Sequence, residues 1–502
     1  MRFLKFTLPT WVAGGLMAVA TANAADPSLP SRIDPNLYSQ LAQNNAPVAS
    51  APALPNVPQE NIQEYRALPP QEAAIESSED EGPNRYIEVP FLVDRNIKTY
   101  GWMAAGIGAN NWGSPFNGPI TFGDRAWQPM LNQLNLVTER TLDTEDGGWD
   151  WGGRMDLMYG TDYIWTTAAG LDALNYNYVN SYFVPRWNSS KYYGLAMPQL
   201  YAEFGRGDIS AKFGHFYTPL GYEVVPAVGN FFYTINNTFQ YGEPFTHTGM
   251  LANWKTNDQL TWYGGIVNGW DNWSSGTSLA APITPFYNNN ANFIGGATMK
   301  SSDQNQALTI FGLSGNMMNG IFSGPLAGQA SNGNRSYIST VYTNKLNDKL
   351  TYVFQNDVGW QFGLQDGQYL QTQSGGANGM AQWYGLVNYL FYNFSDSLIG
   401  GMRFEYWRDN NGVRATYQAR NVNYAYWQTG NPGFTGFQGN FWEITWGLNW
   451  LPNRNWRIRP EIRYDFYTPD NPGSGPLPYG GRGFGGDQYG QLYGGCDAIF
   501  QF

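Results

Sequence analysis

A single cysteine in 502 residues leaves Cys496 with no intrachain disulfide partner and excludes a zinc cluster built from thiols. Histidine is nearly as scarce. The two present, His215 and His247, belong to no ligand-spaced cluster, so no metal site is expected. Charge is thin as well: 13% of residues, about half the usual share in soluble domains. Beyond the first two dozen residues no window approaches ~18 consecutive apolar side chains, which excludes helical membrane spans. What charge there is leans acidic, with 28 Lys and Arg against 39 Asp and Glu giving −11. Nucleic acid needs a basic footprint and is not an expected partner.

What the chain has in quantity is aromatic side chains, 17% of residues, together with 60 glycines. High Trp, Tyr, Gly and Asn with little charge fits strands that hide their hydrophobicity by alternation, as in a membrane β-barrel. A large soluble β-protein is the alternative. Alternation is clearest toward the C-terminus, where Trp442, Ile444, Trp446, Leu448 and Trp450 share one face and Glu443, Thr445 and Asn449 the other. In the next strand Trp456, Ile458, Ile462, Tyr464 and Phe466 alternate with Arg457, Arg459, Glu461, Arg463 and Asp465. Such a charged face suits a wet lumen better than a dry sandwich core, because each unpaired buried charge is costly. Leu492 to Phe502 alternates too, with Asp497 on the water side and only Ile499 out of pattern. Its terminal Phe502, two residues after Phe500, resembles the ending that the bacterial outer-membrane barrel-assembly machinery recognises.

The N-terminus carries a matching address. Met1 to Lys5 is basic, Trp11 to Ala20 is apolar, and Ala22, Asn23 and Ala24 form a small-x-small cleavage site, so residues 1–24 read as a removed signal peptide. Losing Arg2 and Lys5 with it takes the charge to −13. Residues 25–90 form a Pro-rich acidic segment, expected to be disordered in the periplasm; between 26 and 84 nine acids face Arg32 and Arg66. The rest of the chain, residues 91–502, reads as an outer-membrane barrel.

Turn formers at Gly207-Asp208, Asn257-Asp258, Ser302-Asp303, Asn347-Asp348, Ser395-Asp396 and Asn453-Arg454, with a looser turn near 145–148, separate alternating runs. Long Gly/Asn/Pro-rich connections fall near 110–131, 162–195, 219–244, 270–291, 316–334, 363–380, 409–437 and 468–486. Short turns on one side and long loops on the other imply an all-β, transmembrane, antiparallel up-and-down barrel of about 16 strands.

At Phe216-Tyr-Thr-Pro-Leu-Gly-Tyr-Glu-Val-Val-Pro226 and Tyr241-Gly-Glu-Pro-Phe-Thr-His-Thr-Gly249 the chain resembles the β-barrel porin family of the OmpL-like, type-two kind. Members are frequent in planctomycete-like bacteria. The likeness runs from about Trp102 to Phe502 and implies a Gram-negative outer-membrane porin with no catalytic residues and no cofactor. Its expected cargo is ions and small hydrophilic solutes in passive diffusion, and a homotrimer in outer-membrane lipid is compatible with an exposed aromatic wall. The rival classes are a structural or adhesive surface barrel with a plugged lumen, and an outer-membrane lipid hydrolase.

Alternation assigns Arg154, Asp156, Glu203, Lys212, Arg403, Glu405, Glu443, Arg457, Arg459, Glu461, Arg463 and Asp465 to the lumen. The Arg cluster of 455–467 is expected to face acids across the lumen and so orient polar solutes; interior ion pairs that merely stiffen the wall are the alternative. Loop 219–244 is expected to fold partly inside and narrow the channel, with Glu223 and Glu243 as its charged contributors, or else to pack on the rim or a neighbouring subunit. For a hydrolase, Ser210 and His215 lie five positions apart, on opposite strand faces, and no serine stands beside His247. The glycines of 480–486 precede a strand and make no phosphate loop. The acids of 143–146 lack a calcium-ligand array.

Overall fold

The computed structural model describes residues 87–502 apart from 88, 114–115, 169, 175–183, 186, 188, 191, 274–290, 319–331, 363–379, 413, 416–436, 471, 473–476 and 481–486. The signal peptide, the acidic segment up to 86 and glycines 481, 483, 485 and 486 therefore lie outside the described residues.

Each alternating run becomes a strand. In chain order they are β1 (Lys98–Asn110), β2 (Met130–Arg140), β3 (Trp149–Gly160), β4 (Ala173–Leu174), β5 (Val184–Pro185), β6 (Gly194–Arg206), β7 (Ile209–Tyr217), β8 (Thr246–Asn257) and β9 (Leu260–Val267). The series continues with β10 (Asn292–Lys300), β11 (Gln306–Met318), β12 (Asn332–Lys345), β13 (Leu350–Phe362), β14 (Met380–Ser395), β15 (Leu398–Asp409), β16 (Gly439–Asn453), β17 (Trp456–Pro469) and β18 (Gly490–Gln501). Apart from the small β4–β5 ribbon, sixteen antiparallel strands pair with their sequence neighbours, and β1 pairs with β18 to close the barrel. Closure leaves no sheet edge, as a hydrocarbon surround requires.

The tight turns work because short polar side chains take over backbone donors. Asn257 Oδ1 accepts from Gln259 N at 2.8 Å, Asn347 Oδ1 from Lys349 N at 2.9 Å, and Asn453 Oδ1 from Asn455 N at 3.0 Å. Asp303 accepts from Ser301 Oγ and from both the side chain and the backbone of Asn305, and these bonds lower its carboxyl to about 2. At the β6–β7 turn Gly207 supplies a φ of 52°, the left-handed conformation that favours glycine.

Outward positions carry the large apolar side chains. Trp254, Trp262, Trp450 and Trp456 are exposed beside tight turns and Trp442 toward the opposite strand ends, where interfacial aromatic girdles belong. Inward positions are mostly polar, charged or aromatic, with aliphatic residues such as Val353, Val387 and Ile399 buried among them. Ile499, out of pattern in the sequence, is buried inside with Trp102, Ala104, Val137 and Ala227. An apolar residue on the water face is thus accounted for by packing on something that occupies the lumen.

Candidate functional site

That occupant is the β7–β8 connection, residues 218–245. It makes a single 3-10 turn at Ala227–Gly229 and a π-turn at Thr238–Gly242, and hydrogen-bonds the inward side chains of the wall. Strand β17 holds it in sequence. Arg457 Nη1 donates to Val228 O at 2.7 Å. Arg459 Nη1 donates to the carbonyls of Ala227, Asn230 and Phe232 at 2.8–3.0 Å. Glu461 accepts from Tyr233 N at 2.8 Å and from Thr234 N at 3.1 Å, and Arg463 Nη1 donates to Ile235 O at 2.7 Å. Loop residues 227–235 thus follow β17, each inward side chain from Arg457 to Arg463 bonded to one or more of their carbonyls or amides.

Strand β15 takes the next stretch. Arg403 donates to Glu223 Oε1 at 2.6 Å and Thr234 O at 2.8 Å, and its Nε pairs with Glu443 of β16 at 2.9 Å. Glu405 accepts from the amides of Asn237 at 2.8 Å and Thr238 at 2.6 Å and from Thr238 Oγ1 at 2.7 Å. Gln133 of β2 accepts from Ala227 N and donates to Val225 O, both at 2.9 Å. From β12 and β13, Ser339 Oγ and Gln355 Oε1 accept from Gly221 N and Tyr222 N, and Gln355 Nε2 donates to Glu243 at 2.6 Å. Most of these bonds go to backbone. The wall holds the loop's path, leaving its side chains free to pack.

They pack on aromatic and glycine positions of β14 and β15. Phe231 and Phe232 meet Phe391 of β14 at 4.9 and 6.5 Å, and Tyr222 meets Tyr389 at 4.8 Å. Burying side chains of this size contributes about 1.5–3 kcal/mol each. Close approach requires a thin wall, and Gly401 lies directly under Phe231 and Gly385 under Thr238. A Gly385→Val substitution should therefore push Thr238 off Glu405, where hydrogen bonds to a charged group are worth about 1.5–3 kcal/mol each. The expected outcome is a folded barrel with higher open-channel current noise, read in a planar bilayer.

The twelve residues assigned to the lumen by alternation all sit on inward faces, and none is more than 8% exposed. They are six cations and six carboxylates. The acids expected across the lumen from the Arg cluster stand beside it instead: Asp497 of β18 is 2.6 Å from Arg459, and Asp465 is 2.8 Å from Arg463. Asp497 comes from the neighbouring strand, about 5 Å away, and Asp465 stands two residues along β17 itself, both far closer than any span of the barrel. Arg154 is held at 2.6 Å from Asp156 and 2.9 Å from Glu139. Glu203 accepts from Ser210 Oγ at 2.8 Å, and Lys212 lies 5.1 Å from the Tyr201 ring.

Sequence reading put Asp497 on the wet side but missed its pairing, and it missed Gln133 and Gln355 altogether. Neutral amides carry no signal until their backbone partners are known. It also passed over Lys255 and Lys300, although the outward Trp254 and Trp262 imply by parity an inward Lys255. Ser210 faces inward beside Glu203, whereas His215 is bonded to Thr248 Oγ1 at 2.8 Å. His247 is bonded to Thr218 Oγ1 at 2.9 Å and to Gly269 O at 2.8 Å. Among the described residues no group of three or more metal-ligating side chains occurs.

Inside the turn ends of β8 to β10 lies a cavity of about 660 Å³, lined by polar side chains including Asn253, Lys255, Thr261, Thr298 and Lys300. Apart from the bond of His247 to Thr218 at the base of the loop, these strands contribute none of the loop anchors named above.

Several solved structures are similar in fold. The outer membrane channel DcaP of Acinetobacter baumannii has TM-score 0.49 and 10% identity, covering 81% of this chain and 97% of that one. An anion-selective porin from Comamonas acidovorans has TM-score 0.49 and 8% identity, covering 81% and 99%. OprB of Pseudomonas putida has TM-score 0.48 and 13% identity, covering 82% and 96%. At scores below 0.5 these likenesses decide nothing about solute or charge preference. No curated protein matches the sequence. Residues 96–502, which include every strand of the closed barrel, match the family described as Putative beta-barrel porin-2, OmpL-like, and the chain belongs to that porin family.

Proposed function

We propose that this outer-membrane porin lets ions and small hydrophilic solutes diffuse passively through the part of its lumen that loop 218–245 leaves open. The process involves no chemistry and no cofactor. The observation that carries this reading is the polar cavity inside the β8–β10 wall. A barrel of sixteen strands has a cross-section wide enough for an aqueous channel, unlike eight-stranded barrels that side chains fill. The loop, gripped by β2 and β12 to β17, then acts as the constriction, with Glu223 and Glu243 tied into it.

The rest of the chain fits the same location. We read residues 1–24 as the cleaved signal and 25–90 as a periplasmic segment, with Phe502 offered to the assembly machinery and the outer wall to lipid or to two further copies in a trimer. A second reading, a scaffold barrel with a closed lumen, is favoured by the dryness of the twelve inward charges.

Reconstitution into planar lipid bilayers separates the two. Passive diffusion gives discrete, ohmic conductance steps, and liposome swelling with sugars of rising size then sets the solute limit. A folded barrel that yields no steps supports the scaffold.

A further inference from the structure

A second connection also enters the lumen. Between β1 and β2, Phe116, Asn117, Ile120, Thr121 and Phe122 are at most 4% exposed, whereas connections normally run over the surface, where water satisfies their backbone. This one is folded back on itself and tied to the wall. Asn117 Nδ2 donates to Gly123 O at 2.8 Å, Asn110 Nδ2 at the end of β1 donates to Phe116 O at 2.8 Å, and Gln491 of β18 donates to Asn117 O at 3.2 Å.

Its tip rests on loop 218–245. Phe122 packs in one apolar cluster with Val225, Ile235 and Phe239 of the loop, and Trp165 of the β3–β6 connection joins them. Tyr241 Oη donates to Pro119 O at 2.6 Å, and Thr121 Oγ1 donates to Gln240 Oε1. Gly123, at a φ of 80°, brings its backbone so near Tyr233 that a Cβ there would stand 3.2 Å from that ring. These contacts fall on both limbs of the loop, before and after its turn at Ala227–Gly229. Both connections leave the wall at the end opposite the tight turns, so the loop cannot swing back out that way without breaking them.

We propose that the β1–β2 connection is a strap that locks loop 218–245 in its inserted position, with Phe122 and Thr121 as the positioning residues. A loop gates a channel only if a second position of it is populated. Burial of Phe122 against the loop depopulates any such position, because leaving would return that ring and its apolar partners to water. The constriction is thereby fixed in place. Its consequence for current, one steady conductance level under voltage, rests on the passive-diffusion reading; the strap itself does not.

The test reads loop motion directly. The amides of Tyr233, Thr234, Asn237 and Thr238 are bonded to Glu461 and Glu405, so hydrogen exchange across the loop, followed by mass spectrometry on the full-length folded barrel, reports whether it leaves the wall. Phe122→Ala should speed that exchange by roughly tenfold or more, with the amides of β17 and β18 unchanged. Thr121→Val/Tyr241→Phe removes the two hydrogen bonds and keeps the apolar cluster; it should give a smaller rise, and it decides the matter if Phe122→Ala does not fold. In a planar bilayer wild type should hold one conductance level and Phe122→Ala should flicker between levels. Loop exchange as fast in wild type as in the variants, unchanged in the folded variants, or raised equally in β17 and β18 overturns the strap, as does a wild type that flickers as Phe122→Ala does. A wild-type barrel without conductance whose loop is protected, and released by Phe122→Ala, overturns diffusion and leaves the strap standing.

Discussion

Deleting residues 224–238 should raise single-channel conductance by roughly threefold or more, because the wall alone would leave the open aqueous lumen of a sixteen-strand barrel. The deleted stretch contains Phe231, Phe232 and Tyr233 and the carbonyls of Val228, Asn230 and Ile235 that receive Arg457, Arg459 and Arg463. The barrel should survive. Its closure depends on strand-to-strand ladders, β1 with β18 included, none of which runs through the loop. The main charge pairs also persist without it, since Arg459 keeps Asp497 and Arg463 keeps Asp465. Arg403 loses Thr234 but keeps Glu443 and Glu223. Those side chains would then meet water, at a gain in solvation that partly offsets the lost packing. Conductance steps in a planar bilayer, compared at one salt concentration, measure the effect. Steps of unchanged size would show that the loop does not limit flow.

The second large effect concerns stability. Arg459→Met should destabilise the folded barrel by about 3–5 kcal/mol, the usual cost of leaving one member of a buried ion pair alone. Asp497 would lose a guanidinium at 2.8 and 2.6 Å, and three loop carbonyls would lose their donor. Adding Asp497→Leu removes the stranded carboxylate and should recover part of the loss. What remains unrecovered measures the orphaned carbonyls, at about 1–3 kcal/mol for each that water cannot reach. Urea titration of the barrel in detergent or lipid, followed by the gel shift between folded and unfolded forms, gives both numbers. If single and double variants unfold at the same urea concentration as wild type, Arg459 does not organise the lumen.

Strand and turn positions were legible because the barrel writes them locally. Asn257, Asp303, Asn347 and Asn453 mark turns through bonds to residues two or three further on, and period-two alternation needs only neighbours along the chain. The inward direction of Arg457, Arg459, Glu461 and Arg463 follows from the same parity. Their partners do not. Arg459 meets Asp497 because β17 and β18 adopt a register pairing those two positions, and Arg403 meets Glu223 across 180 residues of sequence. A pattern of charges on a strand face reads alike whether water or a folded loop lies against it.

Alternation, turn chemistry and scarce charge were enough, read along the chain, to specify a sixteen-strand membrane barrel and which side chains face its interior, since both depend on interactions between near neighbours. Only the tertiary structure decided that loop 218–245 lies inside, that most of the interior charges serve to hold it or each other, and that a polar cavity stays open inside the turn ends of β8 to β10. The reason is that solvation at an inward position is set by what approaches from across the barrel, through contacts between residues far apart in sequence.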